Sequence, residues 1–424
     1  MADFSNIPKL DWKSVQSIRS EIGDAFYVLD DRRFEVNFKL LLSAFRKHYP
    51  KTGIGYSYKT NYTPYLCRRV QALGGYAEVV SEMEYDLARR IGVPSDRIIF
   101  NGPYKSERAF AEALNGGAIV NLDNARDLGL LLKLAEHHPD KTFGVALRCN
   151  FELNTGSVSR FGFDVDGEAF RHAIETIAQA ENAEVVGLHC HFPDRDKSSY
   201  SVRTAKILDL SDRVFGDRLP QFLNIGGGFF GEIPESLKST FSTDHVSFEE
   251  YAKVVAAAFS RHFGTGSDCP ELIIEPGTAV VANTMRFFSQ VLDVKTIRGR
   301  AFATVAGSIF NISPVARNLN LPVRVIPSKP TANEDAKVFD IVGYTCIEGD
   351  VMSKGVWGTI VAGDFVEYSN IGSYSIVMKP PFILPNFPII RFEDASDPGT
   401  WILVKKAETA DYIFENFVDY QNGR

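Results

Sequence analysis

Short apolar runs alternate with longer stretches of helical period from about residue 53 to residue 277. The runs are rich in β-branched and aromatic residues, as in strands buried on both faces of a parallel sheet. The stretches between them open with helix-start signals, such as Thr63-Pro64 and the capping-box spacing of Ser81 to Glu84. The predicted strands are Gly53–Tyr58, Ala77–Val80, Arg97–Asn101, Ala118–Asp123, Phe143–Arg148, Val185–Phe192, Phe222–Gly227 and Leu272–Glu275.

Eight strand–helix units in this span predict an α/β fold, a (β/α)8 TIM-like barrel, which typically takes about 250 residues. An open doubly wound sheet is the alternative, because the number of strands does not establish closure. We expect the barrel domain over residues 35–280.

After Thr278 the pattern changes to short strand-like runs separated by Gly, Pro and Asp. No long helix is expected before the last twenty residues, so residues 281–424 are predicted to form a C-terminal all-β domain. Residues 1–34 contain one more strand candidate, Ala25–Leu29, which we assign to the same domain. The other predicted strands there are Arg286–Ile297, Val323–Ile326, Val338–Val342, Gly358–Val361, Phe365–Ser369, Tyr374–Met378 and Ile389–Arg391.

Composition and charge exclude several classes of protein. Hydrophobic residues make up 45% and charged residues 23% of the 424, the balance of an ordinary globular protein of two or three domains. A net charge of −7 argues against nucleic-acid binding. No apolar run is long enough for a membrane helix, and no secretory signal is expected. The five scattered cysteines favour neither a disulfide framework nor a zinc site, so a cytoplasmic location is expected.

Lys59 ends the first predicted strand, and in a parallel barrel the chemistry lies at the carboxyl ends of the strands. Gly55, Ser57 and Lys59 share one face of that strand. We therefore expect a lysine at the barrel mouth above small residues, with room for a flat ligand. Partial desolvation would favour its neutral amine, a nucleophile toward aldehydes. A surface lysine at a strand end is the alternative.

Two later strands end in features that suit a phosphate. The seventh runs into the glycines 226–228, whose backbone N–H groups can approach a phosphate closely. The eighth ends in Glu275-Pro276-Gly277-Thr278, and barrels often bind phosphate between these two loops. A glycine-rich tight turn is the alternative. Glu275 follows an apolar strand and needs a donor or a cation, such as a protonated heterocyclic nitrogen.

His189 and His191 share one face of the sixth predicted strand. Such a pair can bind a metal, but no other histidine lies at a predicted strand end. We favour His191 stacking on a flat ring, with His189 deeper in the barrel, and predict no metal.

These residues resemble the site of the fold-type III pyridoxal phosphate (PLP) decarboxylases, the ornithine and diaminopimelate decarboxylase family. Further segments follow the family order from residue 58 to residue 374, which covers most of the chain. The segments similar to family motifs are Tyr58-Lys59-Thr60-Asn61, Glu78–Glu84, Ser159-Arg160-Phe161-Gly162, Gly187–His191, Asn224–Phe229, Glu275-Pro276-Gly277, Cys346–Asp350 and Gly372-Ser373-Tyr374.

The resemblance implies an alanine racemase-like barrel and a set of roles. Lys59 would bind PLP through its amine and later transfer protons, His191 would stack on the ring, and Glu275 would keep the ring nitrogen protonated. Glu78 and Arg148 would belong to the network beside the lysine. The residues expected to hold the phosphate are Gly227, Gly228, Gly277, Thr278 and Tyr374.

The resemblance also implies a homodimer with active sites at the interface. Cys346 would donate a proton to the substrate carbon and would come from the partner subunit. Taken without the resemblance, Cys346 reads as a small core residue of the β domain. Glu348 and Asp350 are expected to contact the substrate.

Departures from the family pattern concern the phosphate and the substrate. Thr278 replaces the usual arginine, and Phe192-Pro193-Asp194 replaces V-G-S; Arg160 or Arg203 could compensate for the lost cation. Ser313-Pro314 lies where diaminopimelate decarboxylases carry R-P, so a distal carboxylate should bind poorly.

The sequence therefore predicts a PLP-dependent decarboxylase of a basic or diamino acid, or of a derivative of one. An amino-acid racemase or epimerase on the same fold is the first alternative, although Glu275 speaks against it. A non-catalytic PLP-binding regulatory protein is the second, and a metal-dependent barrel hydrolase is a distant third.

Overall fold

A computed structural model describes residues 7–153, 156, 158–241, 243–312, 319–330, 335–394 and 396–418. The chain divides into two compact units. The first, here called the β unit, comprises Met1–Val36, Glu232–Ser242 and Val281–Arg424. The second, the barrel unit, comprises Asn37–Gly231 and Thr243–Val280.

The described strands, in chain order, are β1 (Ala25–Leu29), β2 (Thr52–Ser57), β3 (Tyr76–Val79), β4 (Ile98–Phe100), β5 (Ile119–Leu122), β6 (Phe143–Asn150), β7 (Phe163–Asp164), β8 (Ala183–His189), β9 (Phe222–Asn224), β10 (Glu271–Ile274), β11 (Met285–Ile297), β12 (Arg300–Val305), β13 (Val323–Ile326), β14 (Lys337–Val342), β15 (Val351–Gly358), β16 (Phe365–Tyr368), β17 (Ile389–Phe392) and β18 (Trp401–Lys405).

The described helices are α1 (Trp12–Ile22), α2 (Asp31–Arg46), α3 (Pro64–Ala72), α4 (Glu82–Arg90), α5 (Glu107–Asn115), α6 (Ala125–His137), α7 (Glu168–Gln179), α8 (Lys197–Phe215), α9 (Glu235–Lys238), α10 (Phe248–Val254), α11 (Ala256–Phe263), α12 (Thr278–Val281) and α13 (Ala410–Phe414).

Eight parallel strands of the barrel unit close into a ring. Their order is β5-β4-β3-β2-β10-β9-β8-β6, and β5 also pairs with β6. β7 is a two-residue strand that pairs with β6 outside the ring. All eight predicted barrel strands are present, and the closure confirms the barrel over an open sheet.

Helix starts in the barrel unit follow local capping chemistry. Pro64 is the first residue of α3, as predicted. Ser81 caps α4 by accepting from the Glu84 backbone N–H, but the Glu84 carboxylate accepts from the Val80 N–H, so only half of the predicted capping box forms. Ser247 opens α10 with both halves of a capping box.

The barrel interior is filled by side chains at the level of Gly55. A Cβ atom on Gly55 would lie 2.9 Å from Ile99 Cδ1 and 3.6 Å from Glu275 Cγ. The small size of Gly55 is therefore needed to admit Ile99, a side chain from β4, below the rim where Lys59 lies. A barrel core packed in this way directs any ligand to the rim.

The β unit is built on a mixed sheet. Its main path runs β15-β14-β12-β11-β1-β17-β18, and β16 pairs with β11 and β13. β1 runs antiparallel to β11 and parallel to β17, so this N-terminal strand lies in the same sheet as strands from the second half of the chain. Its core includes Phe26, Phe288 and Ile390, all with an exposed fraction of 0%.

Two strands predicted for the β unit are wrong. Tyr374–Met378 forms turns, since Tyr374 has φ +63° and the Met378 N–H donates to the Tyr374 carbonyl. Gly358–Val361 is not a strand either, because Gly358 ends β15. Prediction missed β12, β15 and β18, together with the helices α1 and α2. Within the described ranges, no helix has the length and apolar character that a membrane span requires.

A lysine of the β unit is buried without a partner. Lys379 is 8% exposed, and its Nζ has no hydrogen-bond partner among the described residues. The amine lies 4.7 Å from the centroid of the Tyr27 ring and 5.9 Å from that of Phe387. Burial and the charge of Lys405 lower the pKa of Lys379 to about 7, against an opposite effect of Glu408.

Lys379→Met is expected to stabilise the protein. One pKa unit corresponds to about 1.4 kcal/mol, so a shift of this size destabilises the charged lysine by several kcal/mol. We expect a gain of about 2 kcal/mol in the free energy of unfolding near pH 7, since the cation–π contact is lost and methionine must repack. The midpoint of urea unfolding measures it, with exposed Lys354→Met as control.

The gain should depend on pH. Between the folded pKa, about 7, and the ordinary value of 10.5, the unfolded chain binds more protons than the folded chain. Wild-type stability therefore rises with pH through this window, and the advantage of methionine shrinks toward its upper end. If Lys379→Met is less stable than wild type at pH 6.5, the buried lysine does not destabilise the folded protein.

Candidate active site

Lys59 and Glu78 form an ion pair at the carboxyl ends of neighbouring barrel strands. Lys59 lies in a short 3-10 turn, Tyr58–Thr60, directly after β2, and Glu78 lies on β3. The Lys59 Nζ donates to both carboxylate oxygens of Glu78, at 2.9 and 3.1 Å. The Glu78 side chain is fully buried, whereas 36% of the Lys59 side chain is exposed. The amine therefore reaches the barrel rim with its charge compensated on the buried side.

Glu275 is a buried anion directly after β10. Its Oε1 accepts from Asn101 Nδ2 at 2.8 Å and from Asn224 Nδ2 at 2.6 Å. Its Oε2 lies 3.2 Å from His189 Nε2. Burial acts to raise the pKa of Glu275, but His189 and Lys59 outweigh burial, and the pKa lies below its usual range. A carboxylate that stays ionised here can pair with a further cation.

Asn101 joins the two carboxylates. It follows β4, and its Nδ2 donates to Glu78 Oε1 at 2.9 Å as well as to Glu275. Its own Oδ1 accepts from Asn121 Nδ2 at 2.5 Å. Sequence reasoning missed Asn101 as a site residue, although a polar residue closing the third predicted barrel strand was a usable signal. The same signal marks Asn224, which closes β9.

His191 is held by the glycine loop. The Gly227 N–H donates to His191 Nδ1 at 2.9 Å, so Nε2 carries the ring proton. Dense packing lowers the pKa of His191 well below its usual range, although part of the residue faces solvent, and Lys59 and Arg148 lower it further. The imidazole is therefore neutral. Among the described residues, no group of three or more His, Cys, Asp or Glu is arranged to hold a metal.

The glycine loop follows β9 with backbone angles that glycine favours, since Gly226 has φ +70° and Gly228 has φ +95°. A Cβ on Gly227 would lie 2.3 Å from the Glu275 carbonyl oxygen. Because the Gly227 N–H already donates to His191, the adjacent Gly228 N–H is the one that stays available.

The loop after β10 packs against the turn that carries Lys59. A Cβ on Gly277 would lie 2.1 Å from Thr60 Oγ1, and the Ser57 N–H donates to the Pro276 carbonyl at 3.2 Å. Thr278, the first residue of α12, is partly exposed beside them. The lysine turn, the glycine loop and the Glu275 loop thus meet at one end of the barrel.

Arg148 belongs to a second ion-pair network. Its Nη1 donates to Asp123 Oδ1 at 2.9 Å, and its guanidinium carbon lies 4.7 Å from the centroid of the Phe161 ring. Arg148 and His191 line a cavity of about 310 Å3 together with the segment from Val158 to Phe161. Ser159, Arg160 and Phe161, from a segment similar to a family motif, thus lie at the same cavity as His191.

The remaining predicted site residues lie in the β unit. Cys346 and Glu348 are exposed on the loop between β14 and β15. Tyr374 is partly exposed, with φ +63°. Ser313-Pro314 lies outside the described residues.

Asp350 is buried and hydrogen-bonded, whereas Cys346 and Glu348 on the same loop are exposed. Asp350 is 3% exposed. Its Oδ1 accepts from Ser308 Oγ and the Ile309 N–H, and its Oδ2 accepts from the N–H and Oγ1 of Thr345. Both carboxylate oxygens therefore accept hydrogen bonds from protein donors. These bonds anchor the loop that carries Cys346.

The sequence profile of the family "Pyridoxal-dependent decarboxylase, pyridoxal binding domain" matches residues 36–282. The chain is 26% identical over 422 residues to diaminopimelate decarboxylase of Aquifex aeolicus, covering 96% of this chain and 94% of the relative. It is 23% identical over 423 residues to the L-glutamyl-[BtrI acyl-carrier protein] decarboxylase of Niallia circulans, covering 95% and 96%. The crystal structure of M. jannaschii diaminopimelate decarboxylase in complex with L-lysine matches with a TM-score of 0.83 at 22% identity, covering 96% of this chain and 95% of that one.

Proposed function

This chain belongs to the pyridoxal-dependent decarboxylase family, and on that premise we propose that it removes the carboxylate of a basic or diamino acid, or of a derivative of one, as CO2. It is a PLP-dependent decarboxylase. One observation carries the proposal: the lysine amine at the barrel rim and the buried anion of Glu275 are joined through Glu78 and Asn101 into one network.

The residues present fit the cofactor. PLP offers an aldehyde, a basic ring nitrogen and a phosphate, and the barrel rim holds an amine, a buried carboxylate and a glycine loop. Each oxygen of an ionised carboxylate accepts about two hydrogen bonds, and in the described part of the chain Oε2 of Glu275 has one hydrogen-bond partner, His189. Gly277 packs against Thr60, where any Cβ would collide, so the close approach of this loop to the lysine turn requires glycine.

When bound, PLP supplies the electron withdrawal that stabilises the negative charge left on the substrate carbon as CO2 departs. Lys59 would hold the cofactor at Nζ, and the same amine, when free, would hold a proton. Glu78 stabilises that proton. Glu275 stays ionised and favours a protonated nitrogen opposite it. His191, neutral and fixed by Gly227, offers a flat face for stacking.

We assign Cys346 as the proton donor to the substrate carbon and place it, in a homodimer, at the active site of the partner subunit. Its exposure on a loop fastened by Asp350 supports this assignment. Asp350 then acts as a positioning residue, and Glu348 and Tyr374 remain proposed contacts to substrate and phosphate. A reducing cytoplasm, where the thiol persists, is the proposed location.

Cys346→Ala should lower kcat while leaving cofactor binding intact. Loss of one positioned proton donor costs about 10²-fold or more in rate. The measurements are CO2 release and PLP absorbance of the purified variant, with Ile347→Ala on the same exposed loop as control. Wild-type kcat in Cys346→Ala would remove the cysteine from the mechanism.

The substrate is tested by CO2 release from a panel. The relatives are named for diaminopimelate and for an L-glutamyl group on a carrier protein. The panel therefore takes meso-diaminopimelate, L-lysine, L-ornithine, L-arginine and acylated diamino acids. Release of CO2 from at least one is expected. Loss of optical activity without CO2 would favour a racemase, and PLP uptake with neither would favour a regulatory protein.

A further inference from the structure

A buried arginine without a carboxylate partner lies behind the glycine loop. Arg203, on α8, has an exposed fraction of 0%. Its Nη1 donates to the Gly227 carbonyl at 3.1 Å, and its Nη2 donates to the Asp194 carbonyl at 2.7 Å and to Ser199 Oγ at 3.0 Å. Its Nε has no partner, and none of the carboxylates in the described ranges forms an ion pair with it.

The immediate surroundings of Arg203 are aromatic. Its guanidinium carbon lies 4.0 Å from the centroid of the Tyr200 ring and 5.7 Å from that of Phe192. Cation–π contact offsets part of the cost of burying this charge. A buried charge normally requires an opposite charge nearby. Burial acts to raise the pKa of Asp196, but hydrogen bonds at that carboxylate outweigh burial, and the charge of Arg203 contributes to lowering the pKa. Asp196 is partly exposed, however, and forms no ion pair with Arg203 in the described ranges. The positive charge behind the glycine loop therefore favours an anion there.

The hydrogen bond to Gly227 also orients a donor. Arg203 and the Tyr200 hydroxyl both donate to the Gly227 carbonyl, the latter at 2.9 Å. In a trans peptide the carbonyl and the following N–H point in opposite directions. The Gly228 N–H therefore points away from Arg203, and it donates to no acceptor in the described part of the chain.

We propose that Arg203 positions the Gly227–Gly228 peptide for the cofactor phosphate and supplies the buried positive charge that Thr278 does not supply. The inference rests on the proposed function only in taking PLP as the ligand. Arg203 acts through the Gly227 carbonyl and through its field, so it is a positioning residue.

Titration of the cofactor-free protein with PLP and with pyridoxal, which lacks the phosphate, tests this. In Arg203→Met we expect the Kd for PLP to rise at least about tenfold, because the phosphate loses both a positioned peptide N–H and a nearby positive charge, and the Kd for pyridoxal to stay within about twofold. Arg203→Lys should keep much of the preference for PLP. Arg213→Met, an exposed arginine on the same helix, is the control.

A second arginine provides the rescue. In the double variant Arg203→Met/Thr278→Arg, the preference for PLP over pyridoxal should return, because a cation stands again at the phosphate. Should Arg203→Met fail to fold, Thr278→Arg alone decides. It should change the PLP Kd by less than about threefold, since the site already holds a charge; a gain of tenfold or more would overturn the inference.

The two proposals fail in different ways. If Arg203→Met weakens PLP and pyridoxal equally, Arg203 is only structural, and the decarboxylase proposal stands. If the wild-type protein takes up no PLP under any condition, the proposed function fails as well.

Discussion

Lys59→Met is expected to abolish covalent attachment of the cofactor and to lower kcat by about 10²–10⁴-fold, the range for one positioned proton-transfer group. The reason is local, because Lys59 is the amine paired with Glu78 at the rim. CO2 release and the PLP absorbance of the purified variant give the two readouts. Lys197→Met, exposed at the start of α8, is the matched control.

The same variant should lose stability. Without Lys59, the fully buried Glu78 keeps Asn101 as its one side-chain donor among the described residues, and an uncompensated buried carboxylate is costly. We expect a loss of about 1–3 kcal/mol, reduced from the value for a wholly buried pair because Lys59 is partly exposed. The double variant Lys59→Met/Glu78→Gln should recover stability but not activity. Recovery of activity would contradict the assigned role of the lysine.

Glu275→Gln is expected to lower kcat/KM by about 10²–10³-fold, as for loss of one preorganised electrostatic contact. A neutral amide still fills the space between Asn101 and Asn224, but it no longer stabilises a cation. Steady-state kinetics on the substrate found in the panel measures the effect.

The control for Glu275 lies on the same strand. Glu271→Gln, at the opposite end of β10, removes a carboxylate that accepts from the Tyr76 hydroxyl. It should leave kcat/KM unchanged. Equal losses in the two variants would mean that Glu275 acts only through the stability of the barrel.

The pH profile follows from the same carboxylate. The pKa of Glu275 is depressed, so the group stays charged from neutral pH down through the ordinary range for glutamate. Its contribution to stability is present above its unfolded pKa and is lost only as pH falls through the lower folded value. Any activity transition of the wild-type protein near pH 4–6 therefore belongs to another group. We expect it to persist in Glu275→Gln.

The barrel could be predicted because its strands are continuous apolar runs with clear turn signals between them. In the β unit the signal is weaker. β15 is interrupted by Ser353, Lys354 and a left-handed Gly355, and its alternation is lost. Tyr374–Met378 looks like a strand by composition, but a left-handed Tyr374 turns the chain there. Such backbone angles depend on tertiary packing, which the intrinsic strand propensities of the residues do not reflect.

The candidate site was predictable wherever a functional residue closes a strand, as Lys59 and Glu275 do. The hydrogen-bond partners of these residues could not be predicted. That Asn101 reaches both Glu78 and Glu275 depends on the stagger of β4 against its neighbours, which residue types do not specify. The ion pair of Arg148 with Asp123 was not foreseen either. Nor was the set of protein donors around the Asp350 carboxylate, because hydrogen-bond partners far apart in the chain cannot be read from residue types.

Borohydride reduction of the PLP-loaded protein, followed by digestion and mass spectrometry, tests the central claim most directly. We predict one pyridoxyl-modified peptide, with the modification on Lys59. Modification of a different lysine, such as buried Lys105, or no modification of a protein that has taken up PLP, would contradict the account.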